Sequence, residues 1–183
     1  MRIIAGEFRG RKIEQPPLET TRPTKDRIRE AVFNVIAEKV PDSAVLDLYA
    51  GSGAYGLEAL SRGAERAVFV ENDGQCAKTV QENIQTLEVE DRTAVIQKDV
   101  EKYTELLGQN KEKFDLIFSD PPYNRGLVKK TLIIINHYDI LNPSGMLVIE
   151  HHTAEGVPEA EGDVSIFKQK TYKDIAISIF HKK

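Results

Sequence analysis

Val45-Leu46-Asp47-Leu48-Tyr49-Ala50-Gly51-Ser52-Gly53-Ala54-Tyr55-Gly56 decides the fold class of this chain. A short apolar run reads as a buried strand, clustered glycines permit a tight turn, and the residues beyond them open a helix whose N-terminal N–H groups are free for a ligand. Downstream the same alternation recurs. Candidate strands are Val45–Leu48, Ala67–Val70, Ala94–Ile96, Leu116–Phe118 and Met146–Ile149, and helices fit near residues 55–62, 74–87, 100–108 and 126–138. Near-continuous apolar strands separated by helices argue for an α/β fold with a parallel sheet covered on both faces. Past residue 160 the pattern changes: Val164–Phe167 and Ile175–Phe180 have no helix between them and read as an antiparallel hairpin.

Upstream of the glycine turn, Ile3-Ile4-Ala5 and Lys12-Ile13 flank Gly6 and Gly10, the pattern of a short basic hairpin or extended arm. Pro16-Pro17 breaks the chain, and a helix is expected from Thr24, with Ile28, Ala31, Val32, Val35 and Ile36 on one face. Residues 1–30 hold eight Lys/Arg against five acids, a net +3, so the rest of the chain carries −7 of the total −4. A basic end on an acidic body points to a polyanionic partner.

A length of 183 residues is most simply one domain, and 40% apolar with 30% charged residues is ordinary globular composition. The longest aliphatic run, Leu132-Ile133-Ile134-Ile135, is far too short to span a bilayer, and no signal peptide is read at Met1-Arg2-Ile3. A single cysteine, Cys76, excludes an internal disulfide, and no Cys/His spacing resembles a metal site. These features suit a reducing cytoplasm. Cys76 falls on the stripe Cys76, Val80, Ile84, Leu87 and reads as a core residue, with Asp73 placed to cap that helix. Adjacent His151 and His152 point to opposite faces of a strand and read as surface histidines.

The chemistry gathers at the carboxyl ends of the strands, where ligands bind in open α/β sheets. The glycine turn fits a dinucleotide fingerprint, with Glu71, twenty residues after Gly51, as the ribose-binding acid. Asp47 favours another ligand, because an acid at that strand tip suits a cationic amino-acid moiety such as that of S-adenosylmethionine and gives nothing to a pyrophosphate. Asp99 lies at the next strand end, as adenine contact, helix N-cap or both. Asp120-Pro121-Pro122-Tyr123 leaves its strand stiffly, since neither proline offers an N–H to the ladder. A carboxylate, rigid proline carbonyls and a ring suit a planar base with an exocyclic amine: acceptors for the NH₂ and a face to stack on.

Together these residues resemble the class I S-adenosylmethionine-dependent methyltransferases, and specifically the RsmD family, which methylates guanine N2 in 16S rRNA. The resemblance spans essentially the whole chain. Arg2-Ile3-Ile4-Ala5-Gly6, Arg9-Gly10-Arg11, Arg22-Pro23-Thr24 and Arg29-Glu30-Ala31-Val32-Phe33-Asn34 are similar to that family's N-terminal extension. Leu46–Gly53, Gly56–Ala64 and Asp120–Tyr123 are similar to its cofactor and catalytic motifs. The resemblance implies a Rossmann-like, mostly parallel seven-stranded sheet with an antiparallel C-terminal hairpin, divided into a basic extension (1–42) and a methyltransferase domain (43–183). It implies catalysis by Asp120, Pro121, Pro122 and Tyr123, and S-adenosylmethionine held by Asp47, Tyr49, Ala50, Gly51, Ser52, Gly53, Gly56, Glu71, Asn72, Asp99, Val100 and Asp120. RNA would be gripped by Arg2, Arg9, Arg11, Lys12, Arg22, Lys25 and Arg29, the partner being 16S rRNA or an assembling small subunit. One departure is Lys173, where the family tends to place glycine after the tyrosine (here Tyr172) that leads into the last strand. That bears on the local bend and on one RNA contact.

The tetrapeptide alone is shared with adenine-N6 DNA methyltransferases, so it marks amino-group methylation and not the base. Methylation of a protein glutamine poses the same chemical problem. A nicotinamide oxidoreductase shares the glycine pattern, and a non-catalytic RNA-binding assembly factor would keep the basic arm.

Overall fold

The computed structural model describes residues 1–17, 23–123 and 125–183. Its elements are α1 (Pro23–Val35), β1 (Ala44–Leu48), α2 (Ala54–Ser61), β2 (Arg66–Val70), α3 (Gly74–Leu87), β3 (Thr93–Ile96), α4 (Val100–Gln109), β4 (Phe114–Ser119), α5 (Leu127–His137), β5 (Leu141–His152), β6 (Ala160–Glu161), β7 (Val164–Tyr172) and β8 (Ile175–Lys182). They build one sheet in the order β3-β2-β1-β4-β5-β8-β7-β6. Strands β1 to β5 run parallel, and β8, β7 and β6 add on antiparallel. Connections leave β1 in opposite directions, so the crevice outside the ends of β1 and β4 is the topological switch point.

Alternation along the strands sorts the core into two layers. Val45, Phe69, Leu116, Phe118 and Val148 join Ile28, Val32 and Phe33 of α1, Leu57 and Leu60 of α2 and Val80 and Ile84 of α3 on one face. Leu46, Leu48, Val68, Ile117, Leu147 and Ile149 face Leu107 of α4 and Leu132 and Ile135 of α5 on the other. Both faces are covered, which is why these strands read as continuous apolar runs.

The N-terminal residues belong to that first layer. A bridge pairs Arg2 with Lys12, Ile3 N–H donates to Arg11 O at 3.0 Å, and Ile3, Phe8 and Ile13 are buried. The hairpin is clamped to α2. The buried Glu58 carboxylate accepts from Ile4 N (2.8 Å) and Ala5 N (3.1 Å), while Ser61 Oγ donates to Ala5 O (2.6 Å) and accepts from Phe8 N (3.0 Å). Gly6 turns at φ +83°, and a Cβ there would sit 1.8 Å from Ser61 O, so a side chain cannot enter without undocking the hairpin.

Four expectations need correction. The sheet has eight strands and not seven, because two-residue β6 pairs with the start of β7. Strand β5 starts at Leu141, pairs there with Phe114, bulges past 142–145 and resumes at Met146; that bulge reads as a turn in the sequence. Cys76 is half-buried, and the stripe that packs runs through Ala77, Val80, Ile84 and Leu87. His151 is no surface residue: its ring is buried, with Nε2 2.9 Å from Ser178 Oγ on the neighbouring strand β8. Among the described residues no helix is long and apolar enough to cross a membrane.

Candidate active site

The end of β1 turns sharply. Tyr49 takes φ 58°, followed by Gly51 at 56° and Gly53 at 77°, and Gly53 caps α2. A non-glycine residue pays steric strain in the left-handed region, and such strain gathers at functional turns. Asp47, 3% exposed, accepts from Gly56 N at 2.9 Å and so fixes the turn from beneath. Gly56 is glycine for packing, since a Cβ there would lie 2.3 Å from the Phe69 ring. Asn83 of α3, fully buried, donates to Ser52 O (2.9 Å) and Glu14 O (3.0 Å) and accepts from Glu14 N (2.7 Å). It thereby ties the turn to the exit of the hairpin.

Glu71 ends β2 beside this turn, its Oε2 accepting from Gly51 N and its Oε1 from Asp73 N, both at 2.9 Å. Each oxygen has a second lone-pair direction for a ligand hydroxyl. Asp99 is the N-cap of α4, accepting from Lys102 N at 3.2 Å. It shares an outer groove with exposed Asn72, Lys98 and Lys102, whereas the Val100 side chain is buried.

At the end of β4, Pro121 is buried, Pro122 exposed, and Asp120 and Tyr123 half-buried. One cavity is lined by Asp47, Tyr49, Ala50 and Ser52 of the glycine turn together with Asp120, Glu150, Tyr55, Arg29 and Met1. Asp120 therefore opens onto the same space as the glycine turn, while Pro121, Pro122 and Tyr123 do not line it. Glu150, on β5 and 3% exposed, accepts from the hydroxyls of Tyr55 (3.0 Å) and Tyr123 (2.9 Å). Tyr55 stacks on Phe118 with centroids 5.1 Å apart, and Phe33 of α1 lies 5.4 Å from Phe118. Burial, then the charges of Glu150 and Asp120, push the Tyr55 phenol well above the usual tyrosine range. Burial likewise raises Tyr49, against the opposing bond to Thr131 Oγ1, 3.3 Å from its hydroxyl. Both phenols stay protonated near neutral pH.

The basic residues divide. Arg2, Arg9, Arg11 and Lys12 are exposed on the hairpin, Arg11 also reaching Thr86 O. Arg29 does not join them. It is 2% exposed, donates to Arg2 O (2.8 Å) and pairs with Asp26 (3.2 Å) and Glu58 (3.6 Å). Expected as an RNA contact, Arg29 is covered by the hairpin and instead brings positive charge to a cavity lined by three carboxylates. Arg22 and the Lys25 side chain lie outside the described residues.

Glu150, Tyr55, Glu58 and Asn83 are structural partners of the site absent from the sequence reading. Glu150 carried a signal, an acid directly after four apolar residues of a buried strand, where an unpaired carboxylate is costly. Among the described residues no group of three or more His, Cys, Asp and Glu is placed to hold a metal ion.

The family model described as conserved hypothetical protein 95 matches residues 1–181. YlbH of Bacillus subtilis, whose name proposes an rRNA methyltransferase, is 36% identical over the full length of both chains. Ribosomal RNA small subunit methyltransferase D of Escherichia coli is 32% identical over all of this chain and 90% of its own. Among solved structures, yhhF of Escherichia coli, a proposed methyltransferase, superposes with a TM-score of 0.85 at 31% identity, covering 100% of this chain and 98% of that one.

Proposed function

Because this chain belongs to the RsmD family of small-subunit rRNA methyltransferases, we propose that it methylates the exocyclic N2 amine of a guanine in 16S rRNA, using S-adenosylmethionine. The observation that carries this reading is the shared cavity: Asp47 and the glycine turn line one side of it and Asp120 the other. An acid at the strand tip beside a helix N-terminus fits the charged end of a methionine moiety, and Glu71 at the next strand end fits ribose hydroxyls.

Bound there, S-adenosylmethionine supplies a sulfonium methyl, an electrophile that needs no further activation. The difficulty lies with the acceptor, whose nitrogen lone pair is delocalised into the purine. The Asp120 carboxylate and the Pro121 carbonyl accept the two amine hydrogens, which draws the nitrogen toward tetrahedral geometry and localises its lone pair. Asp120 then holds the proton that nitrogen loses. Tyr123 stacks on the base, which must be unpaired or flipped out of its helix. Residues 1–42 serve as the RNA-facing extension of domain 43–183, with Arg2, Arg9, Arg11 and Lys12 on phosphates and Arg22 and Lys25 as further contacts, so binding weakens as salt rises. The setting is the cytoplasm, on 16S rRNA or an assembling small subunit.

Labelled cofactor with small-subunit RNA or particles, followed by digestion to nucleosides, tests this. Label is expected in N2-methylguanosine. Label in N6-methyladenosine, or in protein alone, would falsify the guanine assignment.

A further inference from the structure

We infer that Glu150 is the positioning residue that fixes the Tyr123 ring in the acceptor half of the site, an inference resting on the proposed role of Tyr123 as the surface on which the target base stacks. Tyr123 follows two prolines that stiffen the backbone but leave its own side-chain torsions free. Among the described residues the next regular element is α5, which begins at Leu127. An anchor at the far end of the ring therefore sets its direction. Glu150 Oε1 is that anchor, accepting the Tyr123 hydroxyl at 2.9 Å.

The carboxylate is itself held. Its Oε2 accepts the Tyr55 hydroxyl at 3.0 Å, and Tyr55 is stacked at 5.1 Å on Phe118, two residues before Asp120 on β4. A closed circuit results, from β4 through Tyr55 and Glu150 to Tyr123 and back along the proline turn to Asp120. Ring and acid are thus referenced to one rigid strand. Glu150 and His152 share a face of β5, and the His152 ring lies 6.2 Å from that of Tyr123, flanking it on a second side. A buried acid in an otherwise apolar strand is destabilising unless fully bonded, and here both oxygens are spent on phenols, one structural and one facing the acceptor.

The rival role is direct: a charge at position 150 acting on substrate as acceptor or base. A double-mutant cycle on the full-length enzyme with small-subunit particles separates the two. Glu150→Ala and Tyr123→Phe are each expected to lower kcat/KM for RNA by about tenfold or more, with KM for S-adenosylmethionine nearly unchanged. The double variant is expected to fall no further than the worse single. Glu150→Gln keeps an acceptor for one phenol and a donor for the other, and is expected to retain activity within about threefold. Two results would overturn the inference: full additivity of the two losses, or Glu150→Gln as impaired as Glu150→Ala. If Glu150→Ala does not fold, Glu150→Met, of similar length and without an acceptor, takes its place. Rates are read on whichever nucleoside takes label, so a wrong base would defeat the guanine assignment and leave this cycle intact. Were no nucleoside labelled, the functional reading fails, and additive shifts of the urea midpoint would then sever the Glu150–Tyr123 link on its own.

Discussion

The two sides of the cleft are built by different chemistry. On the β1–β3 side each acid is fastened to backbone: Asp47 to Gly56 N, Glu71 to Gly51 N and Asp73 N, Asp99 to Lys102 N. On the β4–β5 side the bonds run between side chains, with Glu150 joining the hydroxyls of Tyr55 and Tyr123. Backbone amides are fixed by the fold, so the first side is a rigid mould. The second side is held by a network of side chains drawn from separate elements, rigid only while every bond in it is made. On the proposed function, a small cofactor and an RNA base would make different demands, one on each half.

If the division is right, the two sides fail differently when cut. The largest effect is expected for Asp120→Ala, where loss of the acceptor for the amine lowers kcat by about a hundredfold to a thousandfold. Affinity for S-adenosylhomocysteine, measured by calorimetry, should stay within about threefold, because Asp47 and Glu71, which hold the glycine turn, are left in place. A comparable loss of affinity would merge the halves and break the comparison. Glu71→Ala is expected to give the reverse signature. Freed from their acceptor, Gly51 N and Asp73 N no longer hold the turn, and the dissociation constant for S-adenosylhomocysteine rises by about tenfold. At saturating cofactor kcat recovers most of its value. A kcat that stays low under saturation would mean that the mould also governs the acceptor.

The same division explains how much of the molecule is readable from sequence. The mould is local: Asp47 lies nine residues from Gly56, and glycine spacing, strand periodicity and the acids at strand ends lie in short windows. The other half is assembled from afar. Glu150 meets Tyr123 across 27 residues and Tyr55 across 95, separations over which no periodicity carries information. Arg29 departs from its expected place on RNA for a related reason. Its helix face has a charged residue that belongs on a solvated surface, until a hairpin held by Glu58 and Ser61 closes over it. His151 follows the same rule, since alternation gives it a face but its partner Ser178 comes from β8, 27 residues away.

Lys173 offers the smallest effect and the cleanest control, because it belongs to neither side. With Asp174 it forms the two-residue turn between Tyr172 and Ile175, and it takes φ 54°, in the region that two-residue hairpin turns fill with glycine at one position or both. The departure noted in the sequence thus places a non-glycine residue in the left-handed region. Lys173→Gly relieves roughly 1 kcal/mol of left-handed strain. Extra chain entropy in the unfolded state returns part of that, leaving a net gain of about 0.5 kcal/mol and a rise in Tm of roughly 1–2 °C. A fall in Tm would mean that the lysine side chain makes stabilising contacts which outweigh the strain. The turn follows β7 up to the pair Tyr172–Ile175, and Ile175 pairs with His152 at the rim of the acceptor side. A rise in KM for RNA at low salt, with kcat unchanged, would therefore assign Lys173 a phosphate contact that the family's glycine cannot make. An unchanged KM would leave the lysine as a turn residue alone, tolerated at a cost smaller than one hydrogen bond.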